Sequence, residues 1–177
     1  LYLRKLKQTI MMELNYKMLA IAALVPLVMG FLWYGPMLFK NAWMKEMGFT
    51  EESLKGGNMA LIFGLSYVFS FFAATFLQTV VIHQFAVQSV LLGEPGFTEG
   101  TGEAYTYLQD FMNTYGDRFR TFKHGALHGA MTGLFLVLPV MGTNALFERK
   151  SLKYVAINVG YWTVTLALMG GILCQYA

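Results

Sequence analysis

Residues 59–92 read MALIFGLSYVFSFFAATFLQTVVIHQFAVQSVLL. No Asp, Glu, Lys or Arg interrupts these 34 residues, and Met59 to Leu77 is apolar on every helical face. A helix apolar all round is buried in a large core or in a bilayer. As one helix the stretch would be about 51 Å long, against a hydrocarbon core of about 30 Å. From Gln78 onward polar side chains recur on one side, at Thr79, His83, Gln84 and Gln88. The expectation is a span over 59–82 that continues as helix to 92, with a protruding or bent end.

Three further runs reach the length of about 20 apolar residues that a crossing requires. The first covers 18–39, is kinked by Pro26, and closes on Trp33-Tyr34-Gly35-Pro36, aromatics and a helix break suited to an interfacial end. The others cover 124–147 and 152–175. Only Glu148-Arg149-Lys150-Ser151 separates those two, so they form an antiparallel hairpin. Between the second and third runs, Gly93 to Gly102 is a turn-rich break. An amphipathic helix over 103–115 follows, with Tyr105, Leu108, Phe111, Met112 and Tyr115 on one face and Gly116 at its end. It lies on the membrane surface or covers the bundle. The fold class is therefore all-α: a single domain over 1–177 forming a four-helix transmembrane bundle, with an extended second helix and a short amphipathic helix in the loop between spans two and three.

Composition supports a bilayer. Of 177 residues, 56% are hydrophobic and 13% charged, where soluble domains carry about a quarter charged. All ten acidic residues fall between the apolar runs, as the cost of burying a charge in lipid demands. The net charge of +3 comes from Lys and Arg beside span ends rather than from a basic tract, which argues against a nucleic-acid partner. The lone Cys174 excludes an intrachain disulfide and a thiolate-rich metal site, and reads as a small apolar residue. Arg4, Lys5 and Lys7 ahead of the first run imitate a signal peptide, but no small-residue cleavage site follows, so the run reads as a retained span. Four spans place both termini on one side. Seven basic residues on that side against six on the other leave the orientation open.

The sharpest local pattern is His124-Gly-Ala-Leu-His128-Gly-Ala-Met-Thr132-Gly133. Gly125, Gly129 and Gly133 form one helical stripe, and His124, His128 and Thr132 form its neighbour. The glycine stripe permits close approach of another helix, within the chain or across an oligomer interface. The histidine pair offers two imidazoles on one face. His83 belongs to the same end of the bundle, so a three-histidine site for zinc, copper or iron, or an axial haem ligand, is topologically open. Against it, Gly125 stands where an HExxH glutamate would have to be, and no carboxylate lies in the spans. Interhelical hydrogen bonding is the preferred reading of these histidines, and no cofactor is predicted. At the opposite end Trp33, Tyr34 and Trp43 read as interfacial anchors, with a small-molecule pocket between hairpins as the functional alternative.

Gly30-Phe31-Leu32-Trp33-Tyr34-Gly35-Pro36, followed by Phe39, Ala42-Trp43-Met44-Lys45 and Gly48, carries a family likeness. With His124-Gly125, Asn144 to Arg149 and Gly160-Tyr161-Trp162, the chain resembles the domain-of-unknown-function 1761 family of small, mainly bacterial, multi-span membrane proteins. The likeness runs from about Leu14 to the end of the chain. It implies a helical bundle in a bacterial cytoplasmic (inner) membrane and no assigned activity. Phosphate loops, nucleophile elbows and paired acids are absent, so no catalytic residue is assigned. The leading expectation is a non-enzymatic protein acting through helix packing, as a homo-oligomer or as an accessory or structural subunit of a larger membrane complex. A small transporter or channel formed by oligomerisation is the alternative, and a metal- or haem-binding protein using His83, His124 and His128 is a further one.

Overall fold

The computed structural model describes residues 12–177, all helix, turn and loop with no strand among them. Four helical segments are long and apolar enough to cross a membrane: Tyr16–Trp33, Met59–Val81, Phe122–Phe147 and Leu152–Tyr176. The chain is a four-span helical bundle.

The first span opens with Asn15, whose side chain accepts a hydrogen bond from the Met18 amide at 3.1 Å. It is built of two pieces, α1 (Tyr16–Ala22) and α2 (Val25–Trp33). Pro26 has no N–H to offer the Ala22 carbonyl, and the helix loosens ahead of it. The helix ends at Trp33, six residues before the expected 39, because Pro36 cannot donate to the Leu32 carbonyl and the chain turns at Gly35. A short helix α3 (Lys40–Met47) closes on Gly48, which adopts a φ of 69° that favours glycine.

The second span, α4 (Met59–Val81), starts at an Asn58 cap. It does not run unbroken to 92; the continuation expected there is present as a bent end. Ile82 is extended (φ −110°, ψ 95°), and a separate helix α5 (Gln84–Leu91) begins after His83. Val80, Val81 and Ile82 are all β-branched, which weakens the helix locally. The break also lets Ile82 reach zero exposure in the main core. In a continuous helix the Val81 carbonyl would accept from the Phe85 amide; here it accepts from the Cys174 thiol at 3.3 Å.

The amphipathic helix α6 (Gly102–Tyr115) packs its apolar face on protein. Tyr105 and Leu108 bury against Phe97, with Val87 and Leu91 of α5 alongside. The third span comprises α7 (Phe122–Thr132), a π-helical turn at Gly133–Val137, and α8 (Leu138–Phe147). Pro139 cannot donate to the Phe135 carbonyl, and the ladder widens to an i→i+5 bond from the Leu138 amide to the Gly133 carbonyl.

The fourth span, α9 (Leu152–Tyr176), is the hub. Of its most apolar window 61% is buried, against 22%, 17% and 11% for spans one to three. Leu166, Met169, Leu173 and Cys174 of α9 meet Leu19 and Ala22 of the first span and Ala74, Leu77 and Val81 of the second. The outer faces of spans two and three expose Phe69, Phe72, Phe76, Leu134, Phe135 and Val140, the side chains a bilayer would cover.

Candidate metal centre

The glycine stripe of α7 seats against α9. A Cβ at Gly125 would collide with the Gly170 backbone and the Cys174 side chain, and one at Gly129 with the backbone of Leu166 and Ala167. At Gly133 it would stand 2.6 Å from Thr163 Cα. The stripe therefore packs inside the chain, where small residues let two helix backbones approach.

Seating the glycines on α9 turns the neighbouring stripe toward the break after α4. His124 and His128 lie one turn apart on α7, and the bend at Ile82 brings His83 to them. Ring centroids are 4.5 Å apart for His124 and His128, 4.8 Å for His83 and His128, and 5.0 Å for His83 and His124. His83 Nε2 and His124 Nε2 stand at hydrogen-bond distance, 2.9 Å, one donating and the other accepting according to tautomer. One nitrogen from each ring can be chosen so that all three lie within 4.8 Å of one another. Imidazoles on a tetrahedral ion, at bond lengths of about 2.0–2.1 Å, hold their nitrogens roughly 3.3 Å apart. The Nε2 atoms of His83 and His124, at 2.9 Å, already stand near that spacing.

Four side chains, Gln84, Phe119, Arg120 and Cys174, fix the surroundings. Gln84 is nearly fully buried, and its amide nitrogen donates toward the carbonyls of Tyr115, Gly116 and Arg118 at 2.9–3.0 Å, pinning the turn after α6. Phe119 follows with a φ of 64°, costly for a residue with a Cβ, and its ring stacks on His124 at 5.0 Å and 18°. Arg120 then donates to the carbonyls of Cys174 and Ala177, a cation at the C-terminal end of α9. The same thiol that meets the Val81 carbonyl also reaches the Phe119 carbonyl at 3.3 Å. A cavity of about 320 Å³ adjoins the cluster, with His83, Gln84, Phe111, Tyr115, Arg118 and Phe119 in its wall.

The family profile described as "Protein of unknown function (DUF1761)" matches residues 18–174. The chain belongs to the DUF1761 family. That match takes in the second and third spans, all but the outermost two residues of the first and fourth, the three histidines and the glycine stripe of this DUF1761 protein. No curated protein and no solved structure matches the chain.

In this DUF1761 chain the expected anchors at the far end reach inward. Trp33 Nε1 donates to the Ile157 carbonyl at 3.0 Å, and Tyr34 hydroxyl to Asn158 Oδ1 at 2.8 Å. Trp43 packs edge-on to Tyr34, centroids 5.4 Å apart. Burial pushes the Tyr34 phenol above its usual range, with Tyr161 and Tyr154 adding to the shift, so it remains a donor. Sequence reasoning grouped the histidines by topology but missed Phe119, Arg118, Arg120 and the thiol contacts. Gln84 carried a signal as a polar residue in an apolar run. A phenylalanine with positive φ carries none.

Proposed function

We propose that the protein is a membrane-embedded metal-binding protein whose His83, His124 and His128 hold one transition-metal ion at the end of the bundle where spans two and three meet. The observation that carries this reading is the convergence of three imidazole nitrogens, one from the turn between α4 and α5 and two from α7, within 4.8 Å. Imidazole-only ligation suits zinc, copper, iron or nickel and disfavours the oxygen-seeking magnesium and calcium. Three neutral ligands match an open tetrahedral zinc site, which keeps its fourth position for water or another ligand. Three nitrogens converging on one point suit a single ion better than a haem, which takes axial ligands on its two faces.

The helix-packing reading, as homo-oligomer or accessory subunit of a bacterial inner-membrane complex, drew on the glycine stripe. With that stripe seated on α9, it keeps only the outer apolar faces of spans two and three for support.

The test is a zinc titration of the purified protein in nanodiscs, followed by calorimetry, with elemental analysis of the dialysed product. One ion per chain with submicromolar affinity is expected, weakened at least tenfold in each of His83→Ala, His124→Ala and His128→Ala. Equal uptake by wild type and the triple variant would rule the site out.

A further inference from the structure

The cavity beside the histidines has mostly apolar walls. Its walls are aromatic and aliphatic: Val87, Phe111, Tyr115 and Phe119. His83, Gln84 and Arg118 are its polar lining. Among the described residues no carboxylate lies within ion-pair distance of Arg118, although Asp117 precedes it in the chain. Its guanidinium rests instead over the rings of Tyr115 and Phe119, 5.6 and 5.3 Å from their centroids. Because Phe119 also stacks on His124 at 5.0 Å, the guanidinium carbon lies at most about 10 Å from that imidazole. Gln84 holds the Arg118 carbonyl, so the backbone that carries this cation is fixed beside the cluster.

We infer that the ion's open coordination position takes the carboxylate of an organic monoacid, with Arg118 pairing the same carboxylate and the apolar cavity holding the hydrocarbon body. This rests on the metal reading above. Three histidines leave the ion its full positive charge, so an anion is the natural fourth ligand. Arg118 supplies a second positive group whose planar fork matches a carboxylate. One guanidinium and one ion suit a singly charged head better than a phosphate dianion, for which more donors would be expected. A volume of about 320 Å³ lies at the small end of ligand pockets, which sets the body at a short chain or a single ring.

Cobalt(II) serves as the probe, since its visible spectrum reports both binding and a change of fourth ligand. The cobalt-loaded protein in phosphatidylcholine nanodiscs is titrated with hexanoate and with acetate. Hexanoate should shift the spectrum at lower concentration than acetate, and Arg118→Gln should raise the hexanoate concentration needed about tenfold, with Arg118→Lys recovering part of the loss. Arg118 is exposed at the rim, and the cobalt spectrum before carboxylate is added reports whether each variant has kept its metal site. Absence of any cobalt spectrum overturns the metal reading and this inference together. A normal cobalt spectrum that ignores carboxylates, responds alike in Arg118→Gln, or responds only when phosphatidylglycerol is present overturns the inference alone.

Discussion

Gly125 and Gly170 face each other backbone to backbone: the carbonyl of each occupies the space that a Cβ on the other would need. The contact is reciprocal, so neither helix can yield for the other. It sets the rotation of α7 on α9, and through that rotation the direction in which His124 and His128 point. Packing and site geometry are thus one constraint.

Gly129→Ala should destabilise the protein by about 3 kcal/mol or more, because the methyl meets the backbone of Leu166 and Ala167 rather than a side chain that can swing away. Gly64→Ala is the control. A Cβ there meets nothing within 4 Å, and alanine favours the helix by up to about 1 kcal/mol. Thermal unfolding in one detergent compares the two. Equal midpoints would contradict the seating of the stripe on α9.

The four spans were legible because a bilayer requires unbroken apolar length, and length is visible in a sequence. The break at Ile82 was only half legible. Gln78 onward marked an altered environment and Val80-Val81-Ile82 a locally weakened helix, but the burial of Ile82 and the Cys174 thiol meeting Val81 are contacts between residues far apart in the chain. Glycine spacing foretold a close helix contact without naming its partner. The histidines were grouped at one end by topology, yet their convergence depends on that same bend. Phe119 had no signal, because its left-handed backbone is imposed by the turn that Gln84 and Arg120 hold on either side.

Gln84→Ala should leave the carbonyls of Tyr115, Gly116 and Arg118 without their shared donor and cost about 2 kcal/mol. The loss is local. Hydrogen exchange should quicken across residues 112–121 and stay unchanged in α9, which the core holds independently. Uniform acceleration over the whole chain would show that Gln84 supports global rather than local order.

Cys174 should resist alkylation in the native protein. Its side chain has no exposure and lies against the carbonyls of Val81 and Phe119. Iodoacetamide labelling, read by mass spectrometry, should be slow in nanodiscs and complete after denaturation. Arg120→Gln, which removes the cation holding the 118–121 turn to the end of α9, should speed native labelling severalfold. Rapid labelling of the untouched wild type would contradict the closed packing of this end.

Tyr34→Phe removes the hydroxyl that donates to Asn158 Oδ1 and leaves a largely buried acceptor unmet, at a cost of about 1–2 kcal/mol. Asn158 keeps its own donation to the Tyr154 carbonyl at 2.8 Å, so its orientation survives and the loss stays near that range. Tyr34→Phe combined with Asn158→Leu replaces both partners by apolar groups and should recover part of the stability lost by Tyr34→Phe alone. A double-mutant cycle on unfolding midpoints measures the coupling. Additivity would mean that the two side chains do not share a hydrogen bond.

The metal site connects to stability by mass action. An ion that binds only the folded chain adds about 2.7 kcal/mol at a free concentration one hundred times its dissociation constant. Zinc should therefore raise the unfolding midpoint of the wild type, and a chelator should reverse the rise. His128→Ala removes one of three ligands while leaving the Gly129 contact to α9 intact, so its metal-free midpoint should change by less than the zinc-dependent rise it abolishes. Magnesium at the same concentration should move neither midpoint, since imidazoles bind it poorly. A rise that persists in His128→Ala would assign the stabilisation to surface carboxylates instead, such as Glu94, Glu99 and Glu103 of the neighbouring loop and helix.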